Sequence, residues 1–213
     1  MLTIQFGLGG AVFLVFVAIV WRLSSRRTSI PCPSWLAWMV ELDNPFAKDH
    51  NAASIVRRLG CERGHAVLDA GCGPGRLTIP LAKAVGPDGE VVAVDIQPAM
   101  LHRAREKARM AGLTNIRFVE TTIGPGTLGT ERFDRAVLVT VLGEIPDRLV
   151  ALQEIFHAMR PGGILSVTEI VFDPHYQKRE TVLDLAVSAG FREKKFFGNR
   201  LAYTLHLEKP TGR

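Results

Sequence analysis

The first 21 residues of this 213-residue chain lack any ionisable side chain. Cysteine is scarce. Cys32, Cys61 and Cys72 are the whole complement, with no C-x-x-C pair and no His/Cys cluster at metal-ligand spacing. That argues against a disulfide framework and against a zinc site, and isolated thiols suit a reducing compartment. No internal repeat occurs. The basic residues are not interleaved with aromatics, and neither an RNP strand nor a zinc finger is present, so nucleic acid is not an expected partner.

What is present is globular in composition, at 47% apolar and 22% charged residues, with room for one sizeable α/β domain. The net charge of +5 and pI near 9.4 fit simple solubility, or attraction to an anionic partner such as lipid. About 20 apolar residues span a hydrocarbon layer of roughly 30 Å, so residues 1–21 are expected to form one transmembrane helix. A signal peptide would open with positive charge and close on a cleavage site, and neither is there. Arg22, Arg26 and Arg27 follow the segment directly, which places the remaining chain on the cytoplasmic side of a single-pass protein. The other reading is a buried core helix. Gly7 and Ala11 form one small-xxx-small pair, a pointer to helix pairing and a homo-oligomer.

Residues 22–46 read as a basic linker and an amphipathic segment. Pro31 and Pro33 mark the linker, and Trp35, Leu36, Trp38, Met39 and Leu42 the apolar patch. All three tryptophans, Trp21, Trp35 and Trp38, fall in this first part of the chain, which fits either the membrane–water interface or the edge of the following domain.

From residue 47 onward strand and helix alternate. Ala52, Ile55, Val56 and Leu59 follow helical spacing up to Gly60. Strands are expected at "AVLDAG", at Glu90–Asp95, at Ile116–Glu120, at "FDRAVLVTVL" and at "ILSVTEI". Helices are expected from about Arg76 to Val85, from Pro98, from Pro146 (burying Leu149, Leu152, Phe156 and Met159), and from an Asp173 N-cap with Pro174 at the first helical position. Two last strands, joined at "GNR", make a hairpin. The expected fold is therefore α/β, a Rossmann-like, mostly parallel sheet of seven strands with a C-terminal antiparallel hairpin, whose ligands bind at the carboxyl ends of the strands.

The stretch "VLDAGCGPG" leaves the first strand, with Gly71, Gly73 and Gly75 spaced G-x-G-x-G rather than in the G-x-G-x-x-G of dinucleotide sites. Asp69 just before the glycines opposes a pyrophosphate but suits a ligand that carries ammonium and sulfonium charge, as S-adenosyl-L-methionine does. Asp95, ending the second strand, can accept from both hydroxyls of a ribose.

With "VVAVDIQPAM", "FDRAVLVTVLGEIPD" and "MRPGG" in order after it, the stretch from about Ala47 to Lys209 resembles the class I S-adenosylmethionine-dependent methyltransferases. The resemblance implies that Asp69, Ala70, Gly71, Cys72, Gly73 and Gly75 shape the methionine pocket and that Asp95 holds the ribose. It places Ile96 and Met100 near the adenine, with Thr140 and Val141 below the methionine. One position departs from the family, because Thr122 in "ETTIGPGTLGT" stands where an aspartate often accepts from the adenine amino group. A glycine-rich loop also replaces the usual next helix.

Methyl transfer from a sulfonium is an in-line displacement whose leaving group is already activated, so one general base suffices, or none. Candidates after the fourth and fifth strands are Glu144, Glu169, His175 and Tyr176; Asn44, Lys48 and His50 lie in a segment that often lids such pockets. A tethered enzyme meets membrane-dissolved molecules at high effective concentration, so the expected acceptor is lipid-like: a phospholipid amine, a quinone-type phenol or an isoprenoid. The alternatives are a membrane-tethered binding protein without chemistry of its own and a methyltransferase for a soluble small molecule.

Overall fold

The computed structural model describes residues 51–212. The apolar segment 1–21, the tryptophan segment and the candidates Asn44, Lys48 and His50 lie outside the described residues. Among the described residues no helix is long and apolar enough to cross a membrane.

Asn51 opens α1 (Ala52–Leu59) by accepting the Ser54 amide at 2.8 Å, and Gly60 closes it in the left-handed region. Next come β1 (Ala66–Ala70), α2 (Thr78–Val85), β2 (Glu90–Asp95), α3 (Pro98–Met110), β3 (Ile116–Glu120) and β4 (Phe133–Val139). A 3-10 turn (Leu142–Glu144) leads to α4 (Arg148–Ala158), β5 (Met159–Ile170), α5 (Arg179–Ser188), β6 (Arg192–Gly198) and β7 (Ala202–Glu208). The seven strands form one sheet in the order β3-β2-β1-β4-β5-β7-β6. β7 runs antiparallel to both β5 and β6, and the other pairs are parallel.

The parallel strands read as near-continuous apolar runs because both of their faces are covered. Val67, Val91, Val137 and Ile164 pack with Ile55 and Leu59 of α1 and with Leu81 and Val85 of α2. Leu68, Val92, Leu138 and Leu165 face the opposite way, onto Leu152 and Ile155 of α4 and Val182 and Ala186 of α5. The parallel register sets Ala70 beside both Val94 and Leu138, and Val139 beside Thr168, so the turns leaving β1, β2, β4 and β5 emerge along one edge.

Several element boundaries differ from the sequence reading, and the fourth strand stops at Val139, three residues short of Leu142. α2 starts at Thr78, preceded by turns, and Pro80 in its first turn has no amide to donate. α4 starts at Arg148 behind Asp147, whose side chain accepts the Val150 amide. Its buried face is Ala151, Leu152, Ile155 and Ala158 with Glu154, while Phe156 stays half-buried, edge-on to Phe191 at 5.1 Å. β5 begins at Met159 and runs through Pro161-Gly162-Gly163, with an irregular register against β4 there. The helix expected from Asp173 starts later. Asp173 caps a tight turn instead, its carboxylate accepting the His175 amide at 2.8 Å and its carbonyl the Tyr176 amide at 3.2 Å, and α5 begins only at Arg179.

Candidate active site

The chain leaves β1 by turning sharply at Gly71, φ 74°, where the amides of Gly71 and Cys72 both donate to the Val94 carbonyl at 2.8 and 2.9 Å. A Cβ on Gly71 would lie 2.5 Å from Val141 Cγ2, so the turn closes only without a side chain. At Gly73 the reason differs. Nothing stands within 4 Å of where a Cβ would be, and the residue presents bare backbone to open space. Gly75 lies against Ala104 of α3.

Two carboxyls frame this turn. The Gly73 amide donates to Asp95 Oδ2 at 2.8 Å and the Gln97 amide to Oδ1 at 2.9 Å. Each carboxylate oxygen has two lone pairs, so Asp95 keeps acceptor capacity for a ligand hydroxyl. Burial raises its pKa above the ordinary carboxylate value. Asp69 accepts from Thr78 Oγ1 at 2.6 Å and is 3% exposed. Burial, with some repulsion from Asp95, pushes it up to about 7 against the opposing pull of Thr78. Cys72 is a packing residue, buried with Ala93 and Leu101, and burial drives its thiol far from ionisation.

The residues expected near a base ring divide. Ile96 is 49% exposed, whereas Met100 is closed into the core at 2%. Thr122 is exposed on the loop after β3, whose start is tied to Asp95 by the Thr121 amide, 3.2 Å from the Asp95 carbonyl. No helix follows β3, as the sequence implied, and the loop is pinned by Glu154 of α4. Its carboxylate accepts the Gly126 amide at 2.9 Å and the Leu128 amide at 2.7 Å. Glu154 went unrecognised in the sequence, although a charge on the apolar face of α4 was the available signal.

β4 is followed by Thr140, φ 55°, whose amide donates to the Thr168 carbonyl of β5 at 2.9 Å, while the next residue, Val141, packs on Gly71. Thr140–Val141 thus joins the glycine turn to a second cluster beyond it. There the structure brings together Glu144, Glu169 and His175. His175 Nδ1 lies 3.7 Å from Glu144 Oε1, and Gly143 packs so closely on the His175 carbonyl that no side chain fits between them. Glu169 is 1% exposed. One of its oxygens accepts the Gln177 amide at 3.1 Å, and the other, Oε1, has no hydrogen-bond partner. Burial raises its pKa to about 8, so at neutral pH it is mostly a neutral acid. Tyr176 turns aside. Its hydroxyl donates to the Arg200 carbonyl at 3.0 Å, and burial raises its pKa further from neutrality.

Gln177 is the residue that the sequence did not reveal at all. Besides holding Glu169 it donates from Nε2 to the His175 carbonyl at 2.7 Å and accepts from the Tyr203 hydroxyl at 2.8 Å. The loop after β5 is thereby fastened to β5 and β7. The only hint in the sequence was the polar composition of that loop. Among the described residues no group of His, Cys, Asp and Glu could hold a metal ion.

The methyltransferase-domain family matches residues 62–204, well over half of the chain. Demethylmenaquinone methyltransferases of Staphylococcus aureus are 35% identical over 115 residues, covering 54% of this chain and 47% of theirs, so the match spans about half the length of those relatives. Among solved structures, a SAM-dependent methyltransferase from Aquifex aeolicus superposes with a TM-score of 0.74 at 20% identity, over 84% of this chain and 99% of its own. The [4+2]-cyclase SpnF does so at 0.67 and 18%, over 76% and 80%, which shows that the fold alone does not fix the chemistry. The family match supplies what the fold does not: the chain belongs to the methyltransferase-domain family, on the fold of S-adenosylmethionine-dependent methyltransferases.

Proposed function

We propose that this methyltransferase acts on a lipid-like acceptor of quinone or isoprenoid type, and that residues 1–21 hold it at a membrane. The observation behind this reading is the 35% identity to proteins named for a demethylmenaquinone substrate, in a chain whose first 21 residues are uncharged.

The residues at the carboxyl edge fit the methyl donor. Gly73 presents open backbone, Asp95 keeps spare acceptor sites, and Asp69 is a buried carboxyl that a cation would stabilise in its charged form. In this reading Asp69, Ala70, Gly71, Cys72, Gly73 and Gly75 enclose the methionine part and Asp95 takes the ribose hydroxyls. Ile96 and Thr122 border the base, Met100 backs them from the core, and Thr140 and Val141 form the floor between donor and acceptor. When bound, the donor supplies a methyl group activated on a sulfonium.

The chain's own residues then have three tasks. Asp69 matches positive charge near the ligand, the backbone turn fixes its position, and the Glu144–His175 pair takes a proton from the acceptor. Glu144 Oε1, 3.7 Å from His175 Nδ1, orients the imidazole toward the acceptor. Glu169, neutral near pH 7, secures the loop bearing His175 through Gln177 rather than acting as the base.

The test is transfer of a labelled methyl group from S-adenosylmethionine to a total membrane-lipid extract by the full chain. Label in an apolar, ring-containing lipid fraction is expected. Donor binding with label only in water-soluble metabolites would refute the lipid acceptor.

A further inference from the structure

Two of the largest exposed apolar side chains stand on neighbouring turns beside the acceptor cluster. Phe172, on the turn after β5, is 65% exposed, and Leu201, on the turn between β6 and β7, is 61% exposed. Singly exposed apolar residues such as Val187 are ordinary. These two turns, however, are bonded to each other. The Val171 amide donates to the Leu201 carbonyl at 2.8 Å, and the Tyr176 hydroxyl donates to the Arg200 carbonyl at 3.0 Å. Each turn also leads straight to the site. Phe172 follows Glu169 by three residues, and Leu201 precedes by two the Tyr203 whose hydroxyl holds Gln177. Exposed cations border the two turns in the chain: Arg200 just before Leu201, and Lys178 where the loop after β5 enters α5.

Apolar tips with flanking cations are the pattern of a surface that enters a phospholipid headgroup layer, where the tips leave water and the cations meet phosphate. We propose that the Phe172–Leu201 rim is such a surface, and that a lipid-dissolved acceptor enters the site past it without crossing water. The proposal rests on the lipid-acceptor reading above and adds the route. The uncharged segment 1–21, with Arg22, Arg26 and Arg27 behind it, keeps the rim at high local concentration beside the same bilayer.

The first test reads the rim alone. The full chain carrying Leu201→Trp is mixed with phosphatidylcholine vesicles, with and without bromine on the acyl chains. The emission that the new tryptophan adds over the parent is expected to be quenched by the brominated lipid. Added emission that stays unquenched overturns the proposal, even where Trp21, Trp35 and Trp38 of the parent are quenched. If it stays unquenched and a dimer of the parent is lost in the double variant below, the rim belongs to a second copy of the chain instead.

The second test reads the route. Phe172→Asp with Leu201→Asp is expected to lower labelling of the lipid extract about tenfold when the extract is presented in vesicles, and to leave labelling in detergent micelles unchanged. An equal effect in both forms overturns the proposal. A parent chain that labels no lipid in either form refutes the acceptor reading instead, and the quenching result still judges the rim.

Discussion

Asp69 and Glu169 lie on opposite sides of β4, each at or near the carboxyl end of its strand, and each is almost fully buried. Burial lifts both, to about 7 and about 8. Their surroundings differ in kind. The side around Asp69 is built mostly from main chain: the Gly71 and Cys72 amides on Val94, the Gly73 amide on Asp95, and a turn that closes because Gly71 has no side chain. The side around Glu169 is tied by side chains that reach to loop backbone: the Glu169 carboxylate to the Gln177 amide, the Tyr203 hydroxyl to the Gln177 carbonyl, and the Gln177 side chain to the His175 carbonyl. Main-chain architecture tolerates few residue types. Side-chain architecture can be rebuilt with others, which is how one fold keeps a donor and changes acceptors.

The strongest way to break this comparison is Gly71→Ala. The substitution puts a Cβ at φ 74° and 2.5 Å from Val141, so the turn must shift. A loss of about 3 kcal/mol of stability and of more than tenfold in donor affinity is expected, read by thermal melting and by calorimetry with S-adenosylmethionine. Glu144→Ala, on the other side of β4, should bind the donor as the parent does. Equal damage to donor binding from both changes would show that the two halves are not separately built.

Asp69 sharpens the contrast at the level of charge. A carboxyl titrating near 7 is about half neutral at neutral pH, and a cationic donor favours its ionised form. Donor affinity should therefore rise with pH from about 5 to about 7 and level off above, with a proton released on binding inside that window. Asp69→Asn should bind about 30-fold more weakly at pH 8 and lose the pH dependence. Calorimetry in two buffers of different ionisation enthalpy measures the proton directly. An unchanged pH profile in the Asn variant would remove Asp69 from the site.

The same division explains how much could be read from the sequence. The glycine turn was legible because G-x-G-x-G after an apolar run and an aspartate records constraints on the backbone, and Gly71 and Gly73 turn beside Asp95 as that spacing requires. The sheet was legible because strands covered on both faces must be apolar. The cluster around Glu169 was not. "DPHYQK" has the local signs of a helix start, yet Asp173 caps a tight turn there, in a loop held by Gln177 on Glu169 and by the close approach of His175 to Gly143. Contacts 26 to 28 residues apart in the chain, such as Tyr203 to Gln177 and Gly126 to Glu154, leave no local pattern.

The smallest expected effect separates the two carboxyls. Below about pH 4.5 Glu169 is protonated in folded and unfolded chains alike. From there to about 8 the unfolded chain loses the proton while the folded chain keeps it, so stability falls as pH rises through that window and the slope vanishes above it. Glu169→Gln cannot ionise and keeps an acceptor for the Gln177 amide. Its stability relative to the parent, read as Tm, should climb across the window and level off above about pH 8. Asp69 contributes a slope of the same sign that ends near 7. Saturating donor tells them apart: it ionises Asp69 and erases that slope, and it leaves the slope of Glu169 in place. A parent whose whole pH slope disappears with donor bound would mean that Glu169 faces the donor's charge as well, and the two sides of β4 would then form one electrostatic site.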